Sequence, residues 1–175
     1  MPIIQKTSPE ILIRPAIIAD KVYIVSLLQT SNMHLRDQGI LQWHINYPDP
    51  EIIENDIKNG TAFVALYNQN IIGTIVLDEN QDSEYDEVPW QFTGKSVAIL
   101  HRFIVHPFMQ GQGIGRTCIK FIEHHALNAG YQIIRFDTFT QNLKALQFYE
   151  SLGYRNAGKL LYRMGYFYCF EKKLA

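Results

Sequence analysis

The spacing of hydrophobic and polar positions changes along the chain, and each change marks the boundary of a predicted element. Apolar or alternating runs bounded by Gly, Pro and Asn predict seven strands: residues 11–14, 62–67, 71–77, 96–105, 133–136, 154–157 and 162–171. Apolar positions three or four residues apart predict four helices: residues 18–36, 50–58, 114–129 and 142–152. This order predicts an α/β fold with one mixed sheet and helices on both of its faces.

Length and composition are typical of one globular domain. The chain has 175 residues, of which 47% are hydrophobic, so we expect a leader over residues 1–10 and one domain over residues 11–175. A net charge of -1 gives no general attraction to nucleic acid or to anionic membranes. The N-terminus lacks a basic segment followed by a long apolar run, so we expect a cytoplasmic protein. Cys118 and Cys169 match no metal-ligand spacing and are expected to be reduced thiols.

A glycine-rich loop separates the long strand from the helix that follows it. The first turn of a helix leaves backbone N–H groups without partners and carries partial positive charge. Gly111, Gly113 and Gly115 allow the main chain to approach a ligand closely, and Arg116 adds a positive side chain. The loop is therefore predicted to hold a phosphate group.

Two phosphate-binding motifs fit this loop only in part. A P-loop requires a glycine where Gln110 stands and a lysine where Arg116 stands. A dinucleotide-binding motif requires its third glycine at Arg116 and a first glycine directly after the strand, whereas residues 106–110 intervene before Gly111. Asp137 is placed like the acidic residue of that motif, so a dinucleotide-binding protein stays open as the weakest hypothesis.

A third pattern, Gln/Arg-x-x-Gly-x-Gly/Ala, is met in full by Gln110, Gly113 and Gly115. A second block agrees with it, Asn-Leu-Lys-Ala-Leu-Gln-Phe-Tyr-Glu-Ser-Leu-Gly-Tyr over residues 142–154. In these two blocks the sequence resembles the GNAT superfamily of N-acetyltransferases, over about residues 11–174. The resemblance implies a single-domain fold with a mixed, mostly antiparallel sheet in which one parallel strand pair splays apart. It also implies transfer of an acetyl group from acetyl-CoA to a primary amine.

The resemblance further implies which residues hold acetyl-CoA. The pantetheine arm would lie along the main chain of Phe103, Ile104 and Val105 and bond to Asn142. Tyr149 matches the tyrosine beside the thioester sulfur and would act as the general acid. The pyrophosphate would be held mainly by main-chain N–H groups of the loop that Gln110 opens, which are those of Gly111, Gln112, Gly113, Ile114, Gly115 and Arg116.

The helix over residues 142–152 brings Asn142 and Tyr149 onto one otherwise apolar face. An asparagine that caps the helix and a tyrosine that packs in the core would explain both without any ligand. Because the glycine-rich loop is present in the same chain, we favour a functional role for Tyr149. Asn142 fits both a cap and a cofactor ligand.

The general base is not identified by the sequence. Some members of the superfamily carry a glutamate on the long strand where this chain has Ile99, which cannot accept a proton. His101 lies on the same face, and it is one alternative; a chain of water molecules is another, and a histidine that merely packs in the strand is a third. The missing glutamate keeps a non-catalytic acyl-CoA-binding module open as an alternative function. No metal is implied.

The acceptor is expected to enter between the first helical region and the loops at the strand ends. Its class, a small-molecule amine or a peptide amine, stays open, as does a homodimer through the aromatic segment 166–170, for which burial within the chain is the other explanation. An acidic rim would attract an amine cation. The candidate acceptor residues are Trp43, Tyr47, Asp82, Glu84, Asp86 and Glu87.

Overall fold

The computed structural model describes residues 10–94 and 96–175, so all of the predicted leader except Glu10 lies outside the described residues. Within them the strands are β1 (Leu12–Pro15), β2 (Ala62–Tyr67), β3 (Asn70–Asp78), β4 (Val97–Val105), β5 (Ile133–Phe139), β6 (Arg155–Tyr162) and β7 (Gly165–Lys173). The α-helices are α1 (Lys21–Asp37), α2 (Pro50–Lys58), α3 (Ile114–Asn128) and α4 (Leu143–Ser151).

One sheet contains these strands in the order β1-β2-β3-β4-β5-β7-β6. Neighbouring strands are antiparallel except for β4 and β5, which are parallel. The predicted mixed, mostly antiparallel sheet is therefore confirmed. Because β4 and β5 are parallel, their carboxyl ends meet at one edge of the sheet, where helix α3 begins after β4 and helix α4 begins after β5.

The parallel pair separates after a short contact. Residues 97–99 of β4 pair with residues 133–135 of β5, although both strands continue further. A β-bulge lies in β4 just beyond this contact, because two steps along β3 correspond to three steps along β4, from His101 to Ile104. Arg102 lies within the bulge at φ 47°. A bulge bends its strand, so β4 turns away from β5 and the predicted gap opens between them.

The helices cover both faces of the sheet, as predicted. On one face α1 and α2 bury Ile24, Leu28 and Ile53 against Val64 and Val76. On the other face α3 and α4 pack on alternate residues of the same strands; the buried members of that cluster include Phe63, Leu77, Leu100, Ile119, Ile122, Phe136 and Tyr149. The alternation of strand side chains between two cores follows from the period of two along a strand.

The last strands and the acidic segment differ from the sequence-based expectation. Residues 158–161, expected to interrupt the sheet, belong to β6, because a β-bulge between Asn156 and Gly158 absorbs the glycine without ending the strand. The acidic segment, expected to be a loop, contains the short 3-10 helix Ser83–Glu87. Its residue Tyr85 is buried against the sheet, which fixes the segment on the face that carries α1 and α2.

Candidate active site

A row of main-chain amides without partners lies where β4 leads into α3. Within the described part of the chain, the amide of Gln110 bonds to Pro107 and that of Thr117 to Gly113, whereas the amides of residues 111–116 have no acceptor. No side chain caps the helix at its N-cap Gly113. Unpaired amides at a helix N-terminus attract an anion, so the structure fits the predicted phosphate site.

The three glycines of the loop serve different purposes. Gly111 and Gly113 have φ values of 77° and 82°, and a Cβ atom on either would meet nothing within 4 Å. These two glycines are therefore required by the backbone conformation alone. Gly115 is required by packing, because a Cβ atom there would come within 3.1 Å of the ring of Phe148 on α4.

The other predicted loop residues take distinct positions. The side chain of Gln110 links β4 to α4. Its amide nitrogen donates to the carbonyl of Val105 at 3.0 Å, and its amide oxygen accepts from Lys144 at 2.7 Å. Arg116 reaches across to the hydroxyl of Ser151 on α4 at 3.1 Å. The side chain of Ile114 is buried in the core, so its amide is the group available to a ligand. Gln112 is exposed.

A cavity of about 680 Å³ occupies the gap between β4 and β5. It is lined by the predicted pantetheine segment, Phe103, Ile104 and Val105, and by Tyr149 of α4. The Tyr149 ring packs on Phe136 with centroids 4.3 Å apart. Burial, together with the nearby negative charge of Asp137, raises the pKa of Tyr149, so the hydroxyl keeps its proton at neutral pH.

Asn142 is both a helix cap and a wall of the cavity. Its side-chain oxygen accepts from the amide of Ala145 at 3.2 Å, which caps α4. Its side-chain nitrogen donates to Gln42, in the connection between α1 and α2, at 3.0 Å. This bond joins the two sides of the cavity, because α4 and the connection lie on opposite faces of the sheet.

His101 is oriented by a carboxylate and faces the cavity. Its Nε2 atom lies 3.0 Å from Asp78 and 3.1 Å from the carbonyl oxygen of Asn80. Burial alone would raise the pKa of Asp78, but the hydrogen bonds from His101 and Asn80 outweigh burial and lower it. Ile99, at the position of the missing glutamate, is buried in the core. His101 thus has a partner that fixes its ring, as bases in active sites do.

Asp137 is a feature of the cavity that the sequence did not assign to it. Its carboxylate lines the cavity and accepts a 2.7 Å hydrogen bond from the hydroxyl of Tyr85. Burial raises the pKa of Asp137, and the Tyr85 hydrogen bond offsets part of this effect. The one signal in the sequence is a carboxylate within an otherwise mostly apolar strand, which indicates only a possible dinucleotide ligand.

The side of the cavity away from α4 carries aromatic and acidic groups. We call the residues Trp43, Tyr47, Asp82, Asp137 and Tyr162 the acceptor pocket, after the expectation from the sequence that an acceptor would enter on this side. Trp43 and Tyr47 stack with ring centroids 4.7 Å apart, and the Tyr162 hydroxyl donates to Asp82 at 3.2 Å.

Three of the acidic candidates lie outside this pocket. Of the four predicted in the segment after β3, Asp82 alone lines the cavity, whereas Glu84, Asp86 and Glu87 are exposed to solvent. The aromatic segment at residues 166–170 places Phe167 and Phe170 in the core of the chain, so burial accounts for these two residues.

A splayed parallel strand pair with free amides at the start of the next helix is the architecture of a GNAT-type acetyltransferase. The Acetyltransferase (GNAT) family matches residues 29–154, and the chain belongs to this family. The resemblance noted in the sequence is thereby confirmed, and the classification as an acyltransferase agrees with the family and with its N-acetyltransferase relatives.

The relatives with similar sequences are distant and longer than this chain. An uncharacterized N-acetyltransferase from Methanocaldococcus jannaschii is 28% identical over 92 residues, which are 53% of this chain and 38% of that protein. Human N-acetyltransferase 8B is 27% identical over 106 residues, or 60% of this chain and 43% of that protein. The matched region thus spans about two fifths of either relative.

Solved structures share the whole fold. A GNAT-family acetyltransferase from Streptococcus agalactiae superposes with a TM-score of 0.79 at 22% identity, covering 93% of this chain and 95% of that one. A Salmonella typhimurium protein, solved with its cofactor acetyl-CoA, superposes with a TM-score of 0.70 at 17% identity and covers 95% of both chains. At this level of identity the similarity establishes the fold.

Two other kinds of site are absent from residues 10–94 and 96–175. No group of three or more His, Cys, Asp or Glu side chains is arranged to hold a metal ion. None of the helices there combines the length and the apolar character needed to cross a membrane.

Proposed function

We propose that the protein transfers an acetyl group from acetyl-CoA to a primary amine by direct attack of the amine on the thioester. The observation that carries this proposal is the row of free amides at residues 111–116, which opens beside the gap between β4 and β5. A diphosphate fits such a row, and the gap leaves room for the arm that bears the thiol. Acetyl-CoA, when bound, supplies the activated acetyl thioester.

Different residues of the chain would bind different parts of acetyl-CoA. The amides of residues 111–116, with the guanidinium of Arg116, would hold the pyrophosphate. The main chain of residues 103–105 would bond to the pantetheine arm, because β4 has no strand partner on its β5 side there. Asn142 would turn its amide from Gln42 to the arm while it still caps α4.

Proton transfer would involve two residues. Tyr149, which stays protonated, would donate to the departing sulfur; a thiolate with a pKa of about 8.5 leaves readily, so this help is modest. His101, held by Asp78, would accept the proton that the amine loses, directly or through water. A base is useful because neutralising a lysine-type amine at pH 7 costs about 4–5 kcal/mol.

A non-catalytic acyl-CoA-binding module is the second candidate function. The observation that favours it is Ile99, a buried aliphatic residue where some members carry a glutamate. A module of this kind would use the same amide row but would leave Tyr149 and His101 without a role in catalysis.

The test is release of free CoA. The purified protein is mixed with acetyl-CoA and a panel of primary amines, and thiol formation is followed with a thiol reagent, with acetyl-CoA alone as the background. We expect release above background with at least one amine and formation of the corresponding amide by mass spectrometry. Tight binding of acetyl-CoA without release on any amine favours the binding module instead.

A further inference from the structure

Resting on the proposed function, the geometry points to the class of acceptor: a small primary amine that carries no carboxylate, bound with its ammonium group against Asp137 and with its apolar body between the aromatic side chains of the acceptor pocket. The amine class was left open by the sequence, and the family does not define it.

The surroundings of the Asp137 carboxylate favour a bound cation. It lines the cavity, accepts a hydrogen bond from Tyr85, and forms no ion pair within residues 10–94 and 96–175. A carboxylate in a protein interior is costly unless a cation or several donors satisfy it. An ammonium group in the cavity supplies both the charge and the donors that Asp137 lacks.

The position of Asp137 relative to the proposed acid and base also matters. Asp137, Tyr149 and His101 line the same cavity. An amine held by Asp137 therefore lies in the cavity that contains the proposed acid and the proposed base.

The charged groups around the acceptor pocket determine which amines it can bind. Asp82 adds a second carboxylate, whereas Arg102 is already paired with Asp56 and His101 with Asp78. Besides burial, the groups that change the pKa of Asp137 are Tyr85, Asp82 and His101. An amino acid would bring its own carboxylate next to Asp137, where like charges repel. The pocket therefore selects an amine without one.

The shape of the acceptor pocket is set largely by aromatic side chains. The stacked pair Trp43 and Tyr47 forms one aromatic wall, and Tyr162, packed edge-on against Phe167 at 5.3 Å, forms another. Aromatic faces attract both an apolar body and an ammonium group. Gln42 of the α1–α2 connection and Asn142 at the start of α4 line the cavity from its two sides and limit the room for a long chain. A small arylalkylamine satisfies all of these conditions.

The experiment compares matched acceptors. Tyramine and tyrosine differ by one carboxylate, and an alanine-initiated tripeptide amide represents a peptide N-terminus. CoA release gives kcat/KM for each on the full chain. We expect tyramine to exceed tyrosine by at least about tenfold, because a repelled carboxylate costs that much or more, and to exceed the tripeptide. Equal or better use of tyrosine or of the tripeptide overturns the assignment.

Two variants test whether the charge of Asp137 is responsible for amine binding. Asp137→Asn removes the charge and keeps an oxygen that can accept from Tyr85, while Glu84→Gln removes a charge from the exposed surface of the neighbouring segment. We expect Asp137→Asn to raise KM for tyramine at least about tenfold and to leave KM for acetyl-CoA within twofold, and Glu84→Gln to change neither. An unchanged tyramine KM in Asp137→Asn contradicts the role of Asp137.

A binding measurement separates this inference from the proposed function. Tyramine and tyrosine are titrated calorimetrically into the CoA-loaded protein, for wild type and both variants. Tyramine binding that Asp137→Asn abolishes, without CoA release, supports the pocket and contradicts the enzyme. CoA release with no preference for tyramine supports the enzyme and contradicts the pocket. If Asp137→Asn does not fold, the comparison of tyramine with tyrosine on the wild type still decides.

Discussion

Arg102 of the β4 bulge and Asp56 of helix α2 form a two-bond ion pair, with Nε–Oδ2 and Nη2–Oδ1 distances of 2.7 and 2.8 Å. Arg102 adopts φ 47°, which an L residue rarely adopts. The pair ties this backbone conformation to a helix on the opposite side of the cavity from α4. The bend of β4, and with it the gap, therefore depends on a contact between two elements rather than on β4 alone.

Removing the partner of Arg102 is expected to destabilise the fold. In Asp56→Ala the mostly buried guanidinium loses its counter-ion, which we expect to cost about 2–3 kcal/mol, measured by urea unfolding. Glu54→Ala is the matched control, since Glu54 of the same helix pairs with Lys21 of α1 and Lys58 of α2 at a more exposed site, and we expect a much smaller change. Equal losses in the two variants contradict a special role for the bulge pair.

Tyr149→Phe tests the proposed acid. Loss of the hydroxyl is expected to lower kcat about tenfold to a hundredfold while KM for acetyl-CoA stays within about twofold, because the ring still packs on Phe136. Steady-state kinetics with the best amine of the panel gives both values. Tyr131→Phe removes an exposed hydroxyl that bonds to Glu79 and serves as the control. An unchanged kcat in Tyr149→Phe favours the non-catalytic module.

Gly113→Ala tests the amide row against a matched glycine. Gly113 and Gly130 flank helix α3 at φ 82° and 91°, and a Cβ atom on either meets nothing within 4 Å. Alanine at either site is expected to cost about 1 kcal/mol of stability through backbone strain. Calorimetry should show CoA binding weakened about tenfold by Gly113→Ala and unchanged by Gly130→Ala. Similar binding by both variants contradicts a phosphate site at residues 111–116.

The sequence predicted the elements well because their signals are local. The apolar spacing of α3 and the turn residues around β2 and β3 act within a few positions, and both were placed to within about two residues. The strand predicted over residues 154–157 ends too early. Gly158 lies at a bulge within β6, and a bulge and a turn both use glycine, so the sequence does not distinguish them. The glycine-rich loop before α3 was also predictable as a structural feature, because its glycines and the start of α3 are contiguous.

Trp43, Tyr47 and Asp82 of the acceptor pocket were expected from the sequence, but its hydrogen bonds were not predictable, because they join distant parts of the chain. Tyr85 and Asp137 are 52 positions apart, and no local pattern shows that the hydroxyl of one reaches the carboxylate of the other. The bond between Gln42 and Asn142 spans 100 positions. Such pairs are set by the packing of the segment 83–87 and of the α1–α2 connection on the sheet, and the sequence pattern shows both only as connections without regular structure.

Acid should remove the contribution of Asp20 to stability. Its bidentate hydrogen bonds from Arg14 lower the Asp20 pKa against the opposing effect of burial. A lowered folded-state pKa stabilises the fold above the unfolded value of about 3.9, and this stabilisation is lost as the pH falls through the folded-state pKa. Thermal unfolding should therefore show Asp20→Asn less stable than wild type at pH 7, with the gap narrowing below about pH 4. A constant gap down to pH 2 contradicts this linkage.

Ser31 of α1 offers a test in which stability and function change in opposite directions. Ser31 lines the cavity, and its buried hydroxyl has no hydrogen-bond partner among the residues the structure describes. Ser31→Ala removes an unsatisfied polar group and improves helix propensity, so we expect about 1 kcal/mol of added stability. If the hydroxyl bonds to the acceptor, KM for the amine rises several-fold in the same variant. Ser26→Ala, on the exposed side of α1, changes propensity alone and separates the two effects. A destabilised Ser31→Ala means that the hydroxyl is already satisfied in the folded protein and is not available to an acceptor.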